Sequence, residues 1–185
     1  MKTITLIYLI TQISVVFAQD AISLKFNNDD YLHRWSKENQ HEFTPKDQDD
    51  LKKWNDMLTL ITYKNAKDGE GLAAVANSVV EGYKLGGAKI LKVDALPRTE
   101  EQPAEYLIAA VFPRPTLIEF VIARFKLIND TGVSVIYSHR VYGKQSGHVM
   151  SDWMKANGAK LEKALWSWDS FPSIETLDSL NKAKK

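Results

Sequence analysis

Cysteine is absent from all 185 residues of the chain. That lack removes thiolate nucleophiles, zinc sites built on Cys, haem attachment through Cys, a lipid anchor on an N-terminal Cys and every disulfide. An excess of charge is lacking too. With 24 basic against 23 acidic side chains, the chain has no surplus cation to neutralise nucleic-acid phosphates, and no polybasic segment for an anionic membrane surface. No nucleic-acid partner is expected. Repeats, low-complexity tracts and linkers are also missing, so residues 19–185 are expected to form a single domain, long enough to bury a core without staples.

A long apolar run occurs only at the start. Met1 to Ala18 carries one charge, Lys2, then an apolar stretch from Ile4 to Phe17 interrupted by Thr11, Gln12 and Ser14. Val16-Phe17-Ala18 ends it with β-branched and small residues at the positions a signal peptidase reads. This is the order of a secretory signal peptide. The competing reading, a membrane anchor, is weaker, because the run falls short of the ~20 apolar residues a bilayer span needs. Cleavage after Ala18 removes Lys2 and equalises the two charges. An exported chain that relies on packing alone, with no disulfide, points to a periplasmic or secreted destination and to no membrane span after cleavage.

Along the rest of the chain the apolar periodicity changes repeatedly. Tyr31 to Trp35 and Gln40 to Phe43 read as edge strands joined by a turn at Lys37-Glu38-Asn39. Thr44-Pro45 reads as the N-cap and first position of a short helix, with Asp47, Asp49 and Asp50 ahead of Lys52 and Lys53, as a helix dipole favours. Trp54 to Tyr63 returns to strand. Leu72, Val75, Ala76, Val79, Val80 and Tyr83 recur at helical spacing, and Gly86-Gly87 closes that helix. Strands follow at Lys89–Ala95, Glu105–Phe112, Leu117–Ile128 and Val133–Tyr142. The last two are joined at Asn129-Asp130-Thr131-Gly132, where the turn explains what would otherwise read as a glycosylation sequon. A second long helix is expected from His148 to Trp168, with a kink near Asn157-Gly158, and a short one from Ser173 to Leu180 before a basic tail. Strands in hairpin succession predict a mostly antiparallel sheet of the α+β class. Two main helices, one for each face, would make it an α/β/α sandwich.

The early aromatic strands, the helix from Leu72 to Leu85, the four strands from Lys89 to Tyr142, and a closing helix with Trp153 and Trp166-Ser167-Trp168 together resemble the Mog1/PsbP-like fold, which includes DcrB-like periplasmic proteins. The resemblance lies in element order across the mature chain. The segment His41-Glu42-Phe43-Thr44-Pro45, with Leu51, Trp54 and Met57, is similar to that of uncharacterised exported proteins of Gram-negative bacteria. What the resemblance implies is an accessory or binding module, an expectation that fold alone does not transfer.

The chemistry written in the residues is sparse. No Gly-x-Ser-x-Gly elbow is present, and Ser146 beside His148 reads as the entry to the last helix. Gly69-Glu70-Gly71 precedes a helix without the Lys-Ser/Thr of a phosphate loop. The four histidines, His33, His41, His139 and His148, share no metal-ligand spacing. His33, His41 and His139 would meet if the first strands paired beside the last, with Glu42 able to join them. A hydrolase or metal-dependent enzyme built on those three is therefore the alternative reading. The leading one is a non-enzymatic binding or accessory protein, without cofactor, for an unknown protein partner or small ligand. Its candidate binding residues are Arg34, His139, Arg140, Tyr142 and Trp166, gathered at a sheet edge or beside the final helix. Trp153 and Trp168 fall on the apolar stripe of that helix and are expected in the core.

Overall fold

The computed structural model describes residues 22–181. The signal peptide expected over residues 1–18 and the basic tail lie outside the described residues. Eight strands form one antiparallel sheet: β1 (Ser23–Phe26), β2 (Asp29–Lys37), β3 (Gln40–Pro45), β4 (Asp56–Tyr63), β5 (Lys89–Leu96), β6 (Glu105–Pro113), β7 (Leu117–Ile128) and β8 (Thr131–Tyr142). Their order across the sheet is β1-β2-β3-β4-β8-β7-β6-β5. The chain thus builds one meander outward-in, from β1 to β4. It crosses by helix α1 (Gly69–Leu85) to the far edge, then builds a second meander back, so that β8 pairs with β4 at the centre. Helices α2 (Ser146–Trp166) and α3 (Ile174–Leu180) complete the chain.

Local chemistry explains the elements. The turns Asn27-Asn28 and Asn129-Asp130 hold positive φ at both central residues, the backbone that Asn and Asp tolerate and that matches strand twist in two-residue hairpins. Asp68 caps α1 by accepting from the Gly71 N–H at 2.8 Å, and Gly87, at φ 80°, lets the chain leave it. Ser173 caps α3 in the same way through the Thr176 N–H.

Each sheet face has its own core, because side chains alternate along a strand. On one face Phe43, Leu58, Leu60, Phe120, Ile122 and Val135 pack against Met150, Leu161 and Leu165 of α2. On the other, Ile108, Ala123 and Phe125 pack against Leu72 and Ala76 of α1. The α+β class, the antiparallel sheet and a helix on either face are as the sequence predicts.

Several expectations are corrected. Tyr31–Trp35 and Gln40–Phe43 are not edge strands; β1, unforeseen, takes the edge outside them. No helix starts at Thr44-Pro45, which end β3. Thr44 is fully buried; its hydroxyl donates to the Gln48 carbonyl and accepts from Arg34 Nε at 2.8 Å. That tertiary bond outcompetes a local cap. Helix α2 runs unbroken through Asn157-Gly158 and stops at Trp166. The Asn157 amide donates to the Trp153 carbonyl at 2.9 Å.

Candidate functional site

Helix α1 packs chiefly over β5, β6 and β7, and a cleft opens beside it on the same sheet face. The register decides which residues stand there. Glu42 of β3 lies opposite Thr59 of β4, Thr59 opposite Ile136 of β8, Met57 opposite Ser138, and Arg140 opposite Glu119 of β7. These side chains floor a cleft of about 350 Å³, walled by Leu51 and Trp54 from the β3–β4 loop and by Tyr83 and Phe112 from the α1 side.

Arg140 organises one end. Its Nε donates to Glu119 Oε2 at 2.9 Å, and its guanidinium carbon sits 3.8 Å from the centroid of the Trp54 ring, a cation–π stack. The Tyr142 hydroxyl donates to the Trp54 carbonyl at 2.8 Å, and the Arg140 N–H to the Asn55 carbonyl at 2.7 Å. The loop wall is therefore pinned to β8 from several directions.

Glu42 occupies the other end. Its Oε1 accepts from the Gln40 amide at 2.9 Å. Burial pushes its carboxyl above the ordinary range, and the Gln40 bond and the Arg140 charge offset this only in part. Between the two ends lie the hydroxyls of Thr59, 8% exposed, and Ser138, 5% exposed. Neither has a side-chain hydrogen-bond partner among the described residues. Glu42 bonds Gln40 and not these hydroxyls, so no nucleophile is paired with a base in the cleft. The cleft offers both donors and acceptors over an apolar floor of Met57, Ile61, Val121 and Ile136.

The residues singled out from the sequence are spread over both faces. Arg140 lines the cleft and Tyr142 braces its wall. Arg34, at a bulge in β2, spans to Thr44 and to the Pro45 carbonyl, the latter at 2.9 Å. His139 points to the opposite face, where its ring stacks on Trp153 at 3.8 Å between centroids and its Nδ1 lies 2.8 Å from Asp56 Oδ1. The Tyr137 hydroxyl donates to the same Asp56 oxygen at 2.5 Å. Burial pushes the Asp56 carboxyl up, but hydrogen bonds from His139 and Tyr137 and the His139 charge outweigh it, and the net direction is down. Trp166 lies on α2, with the Arg124 guanidinium over its ring at 5.9 Å.

The histidines do not converge. Ser36 Oγ bridges His33 Nε2 at 2.7 Å and His41 Nδ1 at 2.8 Å, while His139 belongs to the Asp56 cluster and His148 is exposed on α2. Among the described residues no group of three or more His, Asp or Glu is placed to hold a metal ion. Glu42, named from the sequence as able to join the histidines, lies on the opposite sheet face from His41; Thr59, Ser138 and Glu119 were not singled out. Their only sequence signal is alternation with buried neighbours, which reads as a solvent-facing strand side until the cover over that side is known.

An eight-stranded antiparallel sheet with a helix on each face and a polar-lined cleft beside α1 defines an α+β protein. A protein-family model matches residues 21–168, and the chain belongs to that family. No curated protein matches the sequence. Among solved structures, it is similar to the Ran-binding protein Mog1p of Saccharomyces cerevisiae, at 10% identity over 79% of this chain and 92% of that one, with a TM-score of 0.44. A mutant of the protein Mog1 is similar at 8% identity over 79% and 93%, with a TM-score of 0.46. Human STARD10 is similar at 8% identity over 74% and 71%, with a TM-score of 0.32. Likenesses at these scores carry no function across.

Proposed function

We propose that the protein is a non-enzymatic binding or accessory module that works outside the cytoplasm and takes its ligand or partner in the α1-side cleft. The carrying observation is the cleft of about 350 Å³ beside α1, with polar side chains of β3, β4, β7 and β8 in its lining. Thr59 and Ser138 are more than nine-tenths buried there yet their hydroxyls find no side-chain partner among the described residues. The two hydroxyls are not among the sealed unpartnered atoms, which are His41 Nε2 and Thr62 Oγ1; they open onto the cleft and offer hydrogen-bonding groups to what enters it. The leader-like residues Met1 to Ala18 support export, and no helix among the described residues is long and apolar enough to cross a membrane.

The two halves of the proposal are tested separately. A fragment screen followed by backbone NMR should gather its shifts at Gln40, Glu42, Thr59, Ser138 and Arg140. Shifts gathering elsewhere, or none at all, would remove the cleft from consideration. Fractionation of the natural host with mass analysis of the N-terminus should find the chain outside the cytoplasm, beginning at or near Gln19. An intact Met1 in the cytoplasmic fraction would end the export reading.

A further inference from the structure

The two edges of the sheet are unlike. At one, β1 is four residues long, Leu24 and Phe26 are buried, and the Lys25 carbonyl accepts from the Trp168 indole N–H at 2.8 Å. At the other, β5 is eight residues long and exposed at every position but Ile90 and Asp94. Five large apolar side chains of the described residues are exposed, and β5 carries three of them, Leu91, Val93 and Leu96. Among the described residues no strand pairs with its outer side, and a long apolar edge of this kind is a template for another strand. We propose that a second copy of this chain fills it, the two β5 strands pairing antiparallel about a two-fold axis at Val93 to make one continuous sheet.

Backbone and charge select this register independently. The Ala95 N–H donates to Asp94 Oδ1 at 2.9 Å, so β6 does not use it and it faces outward. In an antiparallel ladder, residues whose N–H and C=O face one neighbour alternate with those that face the other. Val93 therefore faces outward with Ala95, while Lys92 and Asp94 face β6. An axis through Val93 lets it exchange both backbone bonds with its counterpart. Lys92 then lies opposite Asp94 of the second copy, in the closer, non-hydrogen-bonded type of pair, about 4.5 Å between Cα atoms. Lys92 and Asp94 share a sheet face and meet at 3.0 Å within one chain, so the two copies set four alternating charges side by side. Opposite charges directly across a ladder are favourable and like ones are not. An axis at Lys92 would oppose two lysines, and one at Asp94 two carboxylates. On the other face the two Val93 side chains, 60% exposed in the single chain, would cover each other.

The same features favour a copy over an unrelated strand. A lysine on an edge ordinarily discourages pairing; here a two-fold-related chain answers it with an acid at the matching position. One patch that complements itself is the condition for a two-fold dimer. The bulge between Ile90 and Lys92 and the proline at 97 confine the ladder to the stretch around Val93. No residue of β5 lines the α1-side cleft, so the pairing does not occupy it.

Sedimentation velocity and amide hydrogen exchange, on protein expressed from the full sequence and taken from micromolar to millimolar concentration, test the pairing. The wild type should pass from monomer to dimer, and the Val93 and Ala95 amides should gain protection as it does. Asp94→Lys makes all four charges basic and Lys92→Asp makes them acidic; each alone should weaken the dimer by about tenfold or more. Mixed together, the two variants should associate, because every lysine again meets an aspartate. A local structural effect of either substitution would not be rescued in this way. Val93→Pro removes an outward N–H without touching the β6 ladder, and it should leave a folded monomer even where a charge change prevents folding. A wild type that is monomeric at every concentration overturns the proposal, and a foreign extended peptide protecting the same amides of that monomer would give the edge to another partner. A dimer insensitive to all three substitutions, or one in which Val93 stays unprotected, places the interface on another face and overturns the proposal equally.

Discussion

Arg124 is only 3% exposed, an unusual position for a side chain that is always charged. Its Nη1 donates to the carbonyls of Leu165 at 2.9 Å and Trp168 at 2.8 Å, and its Nε to Glu105 Oε2 at 2.6 Å. It therefore caps the last turn of α2, where carbonyls lack intrahelical partners and the dipole favours a cation. Removing one member of such a buried set leaves the others unpaired. Arg124→Leu should lower stability by about 3–5 kcal/mol in urea denaturation, with α2 losing hydrogen-exchange protection first at its C-terminal turn. A loss under ~1 kcal/mol, the worth of an exposed ion pair, would refute the capping role of the buried contacts. The sequence shows Arg124 only as a polar interruption on an apolar strand, since the carbonyls it serves lie more than forty residues away.

At the scale of elements, the join between β4, α1 and the β7–β8 hairpin depends on close approach. The Gly132 N–H donates to the Ala66 carbonyl at 2.7 Å, and a Cβ at Gly132 would sit 2.8 Å from Ala66 Cβ and 3.4 Å from Leu72 Cδ1. Gly132 here serves proximity and not positive φ, which the preceding Asn129 and Asp130 supply. Gly132→Ala should therefore cost about 1–3 kcal/mol, the range for overpacking, measured as a lower urea midpoint. Gly158→Ala, where an added Cβ meets nothing within 4 Å, should move the other way by about 1 kcal/mol through helix propensity. Equal effects of the two would refute the packing explanation. Helix α1 itself was legible from its stripe. The false helix at Thr44-Pro45 was not separable from a true one, because its caps and charges were locally correct. Tertiary bonds from Arg34 overrode them.

Across the whole molecule, the two faces of the sheet have different pH responses. On the α2 side His41 is completely buried and its Nε2 has no partner among the described residues. Burial pulls its titration below the ordinary histidine range, and the neighbouring His33 pulls the same way, against Asp178 of α3. A histidine with a lowered folded pKa binds fewer protons than the unfolded chain does between that pKa and about 6.5. Stability should therefore be fullest above about pH 6.5 and fall as pH drops toward the folded value. His41→Asn, which does not titrate, should show a smaller drop in urea midpoint between about pH 7.5 and 5.5 than the wild type. Identical drops would place the acid sensitivity elsewhere. The α1 side responds through Glu42, whose carboxyl is raised by burial, so that acid relieves the folded state there.

The sequence by itself determined the class of the molecule. Alternating and helical periodicities report which residues must leave water, and that suffices for an antiparallel α+β sheet, for α1, for most of α2, and for the chemistry that a chain without cysteine forgoes. It also marked His139, Arg140 and Tyr142 as residues of interest, without showing that His139, next to Arg140 on β8, faces the other side of the sheet. Only the tertiary structure decided how far α1 reaches. A helix stripe records that a face is covered but not which strands lie beneath it. The strand order β4-β8-β7 and the placement of α1 over β5 to β7 leave Glu42, Thr59 and Ser138 together in a cleft.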